Sequence, residues 1–187
     1  SFFKGRLYGK FDYYIKTTDN MLYEVKVPQP PYTNEKQWQN IGSMEVKGWE
    51  FEVGGDIIRN KDFLWSTNLN MSHEGGKIKT LWGDNTYMNG NGFPAPGSPG
   101  DAARIEEGSE MGAFYIWKFA GFDDDGGFLL YDKDGKIIPA AQKTENDKQY
   151  IGNYKPALIV GWNHTLAYKN WDLGLNLRSW INYDVYN

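Results

Sequence analysis

The sequence predicts an all-β fold, on three observations. Several segments alternate apolar and polar residues with the two-residue period of a strand. Aromatic residues and glycine are abundant, with 8 Trp, 13 Tyr, 10 Phe and 22 Gly among 187 residues, a mix that favours pleated sheet and turns. No stretch carries the 3.6-residue period of an amphipathic helix.

Five strands are expected, in chain order. Arg6 to Ile15 sets Leu7, Phe11, Tyr13 and Ile15 against Arg6, Lys10 and Asp12. Lys47 to Ile58 sets Trp49, Phe51 and Val53 against Glu50, Glu52 and Asp56. Asp62 to Ser72 sets Phe63, Trp65, Leu69 and Met71 against Ser66, Asn68 and Asn70, with Leu64 as a misfit. Ala157 to Tyr168 offers Leu158, Val160, Trp162, Leu166 and Tyr168 on one face, with His164 interrupting the row. Trp171 to Ile181 sets Leu173, Leu175 and Leu177 against Asp172, Asn176 and Arg178. Each of about 10 residues, tilted as in a barrel wall, spans roughly 23 Å, close to the ~25 Å apolar band of a transmembrane β-barrel.

The connections sort the strands further. Tight turns are expected at Arg59 to Lys61 and at Lys169 to Asn170, whereas about 16–46 and 73–156 are long excursions. Short and long alternate, which puts both long loops on one side of a wall and both turns on the other, the pattern of an outer-membrane barrel. A soluble sandwich has no reason to sort its loops so, and the second excursion is too long to lack structure. Within it, Asn89 to Gly100 is dense in turn formers, "MGAFYIWKFAG" reads as a strand, and "DDDGGFLLYDKDGKIIP" as strands joined by turns at Asp123 to Gly127 and Asp132 to Gly135.

Composition excludes several functions. A net charge of -4 offers no basic field for nucleic acid. The absence of cysteine removes disulfides, thiolate metal sites and cysteine nucleophiles. No run approaches the ~18 consecutive apolar residues of a spanning helix, which leaves a barrel open.

No catalytic constellation is expected. "DKDG" at Asp132 to Gly135 lacks the remaining ligands of a calcium loop and reads as turn chemistry. Glu106, Glu107 and Glu110 could supply paired carboxylates for glycoside hydrolysis, but a solvated loop face is the plainer reading. His73 and His164 have no partner that signals a relay or a metal, so structural roles are expected, and no metal or cofactor is called for. Trp49, Trp65, Trp162, Trp171 and Trp180, taken as rings alone, fit an aromatic girdle and a sandwich core equally. In the loops, Trp38, Trp82, Tyr87 and Phe93 are candidate ligand contacts that could equally pin the loops in place.

"NIGSMEVKGWE" at Asn40 to Glu50 and "EEGSEMGAFYIWKFAG" at Glu106 to Gly121, with "GFPAPGSPG" and the C-terminal "YIGNYKPALIVGWNHTLAYKNWDLGLNLRSWINYDVYN", resemble the C-terminal barrel region of SusC/RagA-type TonB-linked outer-membrane proteins over almost the whole chain. The resemblance implies a barrel of roughly 22 strands with a plugged lumen, in the outer membrane of a Gram-negative cell. It also implies import of oligosaccharides or peptides, a SusD-like lipoprotein lid, and energy delivered by TonB. No signal peptide is visible from Ser1 onward, so either a mature start or a piece of a longer chain is expected. Against the family this sequence lacks the plug, the TonB-contacting segment and the closing strands, so a piece of a larger protein is expected, because five wall strands cannot close such a barrel.

On that reading Trp49, Phe51 and Val53 meet lipid, while Glu50, Glu52, Asp56 and Arg178 face the lumen. The opposite orientation would place acids in hydrocarbon. The competing expectations are a soluble β-sandwich that binds carbohydrate through loop aromatics, and a glycoside hydrolase built on the Glu106 region.

Overall fold

The structure is a computed structural model that describes residues 3, 6–27, 29–40, 42–81, 87–89 and 100–185. Thirteen strands form among the described residues, numbered here in chain order. The chain divides into two compact units, one of Ser1–Thr17, Glu45–Gly76 and Pro156–Tyr183, the other of Thr18–Met44, Lys77–Lys155 and Asp184–Asn187.

The first unit is built on a single five-stranded sheet in the order β1 (Leu7–Thr18), β4 (Gly42–Arg59), β5 (Phe63–Leu81), β12 (Leu158–Tyr168) and β13 (Trp171–Ile181). These are the five strands expected from alternation. Two are longer than the expected ten or so residues, since β4 has 18 and β5 has 19. The first tight turn is displaced by one residue to Asn60–Asp62, where the Asn60 side chain accepts the N–H groups of Asp62 and Phe63. The second lies at Lys169–Asn170 as expected, with Lys169 at φ +52°, the left-handed conformation of a two-residue hairpin turn. Lys169 donates its N–H to the Asp62 carbonyl at 3.0 Å, so the two tight turns lie side by side.

Register separates the faces. Across β5, β12 and β13, Trp65 aligns with Leu166 and Leu173, Thr67 with His164 and Leu175, and Leu69 with Trp162 and Leu177. The neighbouring pairs, Ser66 with Thr165 and Asn68 with Asn163 and Asn176, point the other way because successive side chains alternate. Among the described residues nothing covers the apolar face of β13, where Leu173 and Leu177 are 55% and 54% exposed. Transfer of one leucine side chain out of water stabilises by about 1.5–3 kcal/mol, so a bare row of them is a strong drive toward an apolar medium. A sandwich requires such faces to pack on each other, and among the described residues they do not.

The two polar interruptions of the apolar face explain each other's neighbours. Trp65 donates its indole N–H to His164 Nδ1 at 3.3 Å, and Trp162 donates to Thr67 Oγ1 at 2.9 Å. An indole N–H away from water needs an acceptor, and His164 and Thr67 supply one each.

The second unit contains the hairpin β2 (Leu22–Lys26) and β3 (Lys36–Asn40), the short pair β6 (Tyr87–Asn89) and β7 (Arg104–Glu106), and a four-stranded sheet. That sheet runs β10 (Ile137–Pro139), β9 (Phe128–Tyr131), β8 (Ala113–Phe122), β11 (Lys148–Asn153). The strand expected in "MGAFYIWKFAG" is β8, and both Asp-led turns are present: Asp123 Oδ1 accepts Gly127 N–H and Asp132 Oδ1 accepts Lys136 N–H. Its buried apolar residues include Ile78, Leu81 and Ala102. Asp147 is also buried and accepts from Lys133 N–H, Thr144 N–H and the Thr144 hydroxyl, which ties β11 to the β9–β10 turn. Among the described residues no helix is long and apolar enough to cross a membrane, and such crossing by strands is a separate matter.

Candidate functional site

In the first unit the polar face carries two hydrogen-bonded side-chain clusters. Asn68 donates to Glu52 Oε1 at 2.7 Å and to the Tyr8 hydroxyl at 3.0 Å. Ser66 donates to Asp56 Oδ1 at 2.7 Å, and Arg59 holds the other Asp56 oxygen at 3.1 Å. Glu50, Glu52 and Asp56 thus share one face of β4, and the register brings Arg178 onto the same face through Gly161 and Asn70. Two depressions open on it, one of ≈ 230 Å³ between Lys10, Asp12, Glu50 and Asn70, another of ≈ 320 Å³ between Arg6, Tyr8, Asp56 and Asn163.

Tyr8 and Tyr14 lie on this face over glycines of the neighbouring strand, Tyr8 above Gly54 and Tyr14 above Gly48. A ring covering a strand glycine restores the contact surface the missing side chain withholds. Tyr14 also donates to Glu74 at 3.2 Å.

The second unit holds a cleft of ≈ 430 Å³ whose walls are mostly apolar, with Met44, Ile78, Met111 and Phe114 among them and Arg104 at its border. The Arg104 guanidinium is clamped between two rings, 3.8 Å from the Tyr87 centroid and 3.9 Å from that of Tyr115. Tyr115 packs on Tyr150 at 5.0 Å, and the Tyr150 hydroxyl donates to Glu106 Oε2 at 2.9 Å. Burial, then the Glu106 acceptor, pushes the Tyr150 phenol up to about 12.

The expected site residues fall as follows. Trp38 stands on β3 and is 65% exposed. Tyr87 has one ring face taken by Arg104. Trp82 and Phe93 lie outside the described residues. The acids weighed for hydrolysis are tied to different partners: Glu106 to Tyr150, and Glu107 to the Leu81 N–H at 2.7 Å. His73 contacts the Ala157 carbonyl through Nδ1 at 2.6 Å and packs near Trp49. No group of three metal-ligating side chains forms among the described residues. What sequence reasoning missed is Arg104, which no local motif marks.

Comparison with known proteins points one way. Residues 1–183 match the family described as TonB dependent receptor-like, beta-barrel. The chain is 31% identical to TonB-dependent receptor P3 of Formosa agariphila over 99% of its length, covering 20% of that protein. It is 29% identical to TonB-dependent receptor SusC of Bacteroides thetaiotaomicron, again over 99% of its length and 18% of the relative. Among solved structures it superposes on one described as the RagAB peptide transporter, with a TM-score of 0.77 at 25% identity over 94% of the chain and 19% of the other. The chain therefore spans about a fifth of the length of these relatives.

Proposed function

The chain belongs to the TonB-dependent receptor family, as part of the β-barrel that these receptors place in the outer membrane, and we propose that it serves there as a wall segment and cargo-facing loops of a nutrient importer. The cargo is an oligosaccharide or a peptide, captured beneath a SusD-like lipoprotein lid and admitted when TonB acts on a plug elsewhere in the protein. No covalent chemistry is involved.

One observation carries this reading: a sheet whose leucine face is bare among the described residues and whose opposite face carries hydrogen-bonded acids and amides. Only a wall between hydrocarbon and water makes use of both faces. On it, Glu50, Glu52, Asp56 and Arg178 line the aqueous lumen, and Trp49, Phe51 and Val53 meet lipid. Trp38, Tyr87, Trp82 and Phe93 belong to the cargo-facing excursions, between β1 and β4 for the first and between β5 and β12 for the other three.

The test is growth. A Gram-negative host carrying the full-length gene should grow on oligosaccharide or oligopeptide as sole carbon source only while TonB and the lipoprotein are present. Growth that survives deletion of TonB would sink the importer reading.

A further inference from the structure

Among the described residues Arg104 is a half-buried cation without a counter-ion. Its Nε is buried and has no hydrogen-bond partner, and among the described residues the guanidinium engages no carboxylate, only the rings of Tyr87 and Tyr115. Both ring faces clamp it, so it cannot swing out to water without losing two cation–π contacts. A buried charged donor left unpaired is costly, and an anion that reaches it recovers that cost. The same residue lines the ≈ 430 Å³ mostly apolar cleft, whose polar lining also includes Ser109 and Glu110, a volume at the lower end of the ~300–1,000 Å³ of small-ligand sites.

We propose that this cleft binds a carboxylate attached to an apolar body, with the Arg104 guanidinium as anchor. A planar guanidinium is suited to a carboxylate, which accepts two parallel N–H bonds. The body enters between Met44, Ile78, Met111 and Phe114. Met side chains suit that task because they adapt to ligands of varied shape. A sugar acid fits poorly, since its hydroxyls would lose water against walls that offer few partners. The C-terminal residue of an apolar peptide and a free alkanoate share the required chemistry.

This inference rests on the importer reading only in making the bound group a piece of cargo. The experiment is calorimetric titration of the full-length receptor in detergent with acetyl-dileucine as the free acid, the same compound as its C-terminal amide, octanoate, and glucuronate. The free acid should bind about tenfold or more tighter than the amide, glucuronate should bind more weakly than the acid, and Arg104→Gln should abolish the difference between acid and amide. Binding of the peptide acid without octanoate assigns the site to peptide termini; equal binding of both assigns it to apolar carboxylates at large. Equal affinity for acid and amide, or glucuronate as tight as the peptide acid, overturns the proposal whether or not the Arg104 variant folds. Because titration needs no uptake, failure of TonB-dependent growth would remove the importer and leave this site standing.

Discussion

The ring of Tyr14 lies across Gly48 so closely that a Cβ at Gly48 would collide with its Cζ and hydroxyl. Tyr14 then reaches Glu74, so one glycine lets a ring bridge β1, β4 and β5 on the polar face. Gly48→Val should displace the ring and cost about 1–3 kcal/mol, the usual penalty for overpacking. Gly48→Val combined with Tyr14→Ala should recover the part of this cost that the ring imposes, while the close approach to the His73 carbonyl, 2.9 Å from a Cβ at Gly48, remains. Urea unfolding of the full-length barrel in vesicles checks both, and equal loss in the double variant would mean the ring is not what Gly48 accommodates.

The two faces of β13 provide a sharper contrast. Leu175 aligns with His164 on the apolar face, whereas Asn176 aligns with Asn163 on the polar face, both near mid-strand. Leu175→Arg should destabilise the folded barrel by about 2–4 kcal/mol, as a cation at the bilayer midplane does. Asn176→Arg should cost less than about 1 kcal/mol, since a lumen position stays wet. Comparable costs for the two would show that lipid does not lie against the leucine row.

Much of this wall was legible because lipid on one side and water on the other write a strict two-residue alternation into the chain. The pattern fades where that contrast ends. The C-terminal stretch of β5 passes through Gly75 and Gly76 before the buried Ile78, which belongs to the second unit, so no continuous face announced the strand. The hairpin of β2 and β3 was hidden by the prolines between its strands, which read as loop. The Arg104 clamp was invisible for a different reason. It is assembled by the pairing of two three-residue strands, Tyr87 opposite Glu106 and Asn89 opposite Arg104, and by Tyr115 from β8. Strands so short carry no period, and cation–π contacts between distant residues have no spacing to read.

Glu106 was legible as an acid but not as a partner, and its contact with Tyr150 has a measurable pH signature. The phenol is raised to about 12, first by burial and then by the Glu106 carboxylate that accepts its hydrogen. The ordinary value is about 10, so the folded state favours the protonated phenol. Its contribution to stability is therefore complete below pH of about 10 and is lost as pH rises from there toward 12. Tyr150→Phe should remove that alkaline loss, leaving a flatter stability profile above pH of about 10 than the parent receptor shows. Glu106→Gln should let Tyr150 ionise earlier, with burial alone still holding it above an ordinary tyrosine. Absorbance titration of tyrosinate in the full-length protein separates the cases. An unchanged alkaline titration in Tyr150→Phe would mean that Tyr150 ionises with the bulk of the tyrosines and that the Glu106 contact does not hold its proton.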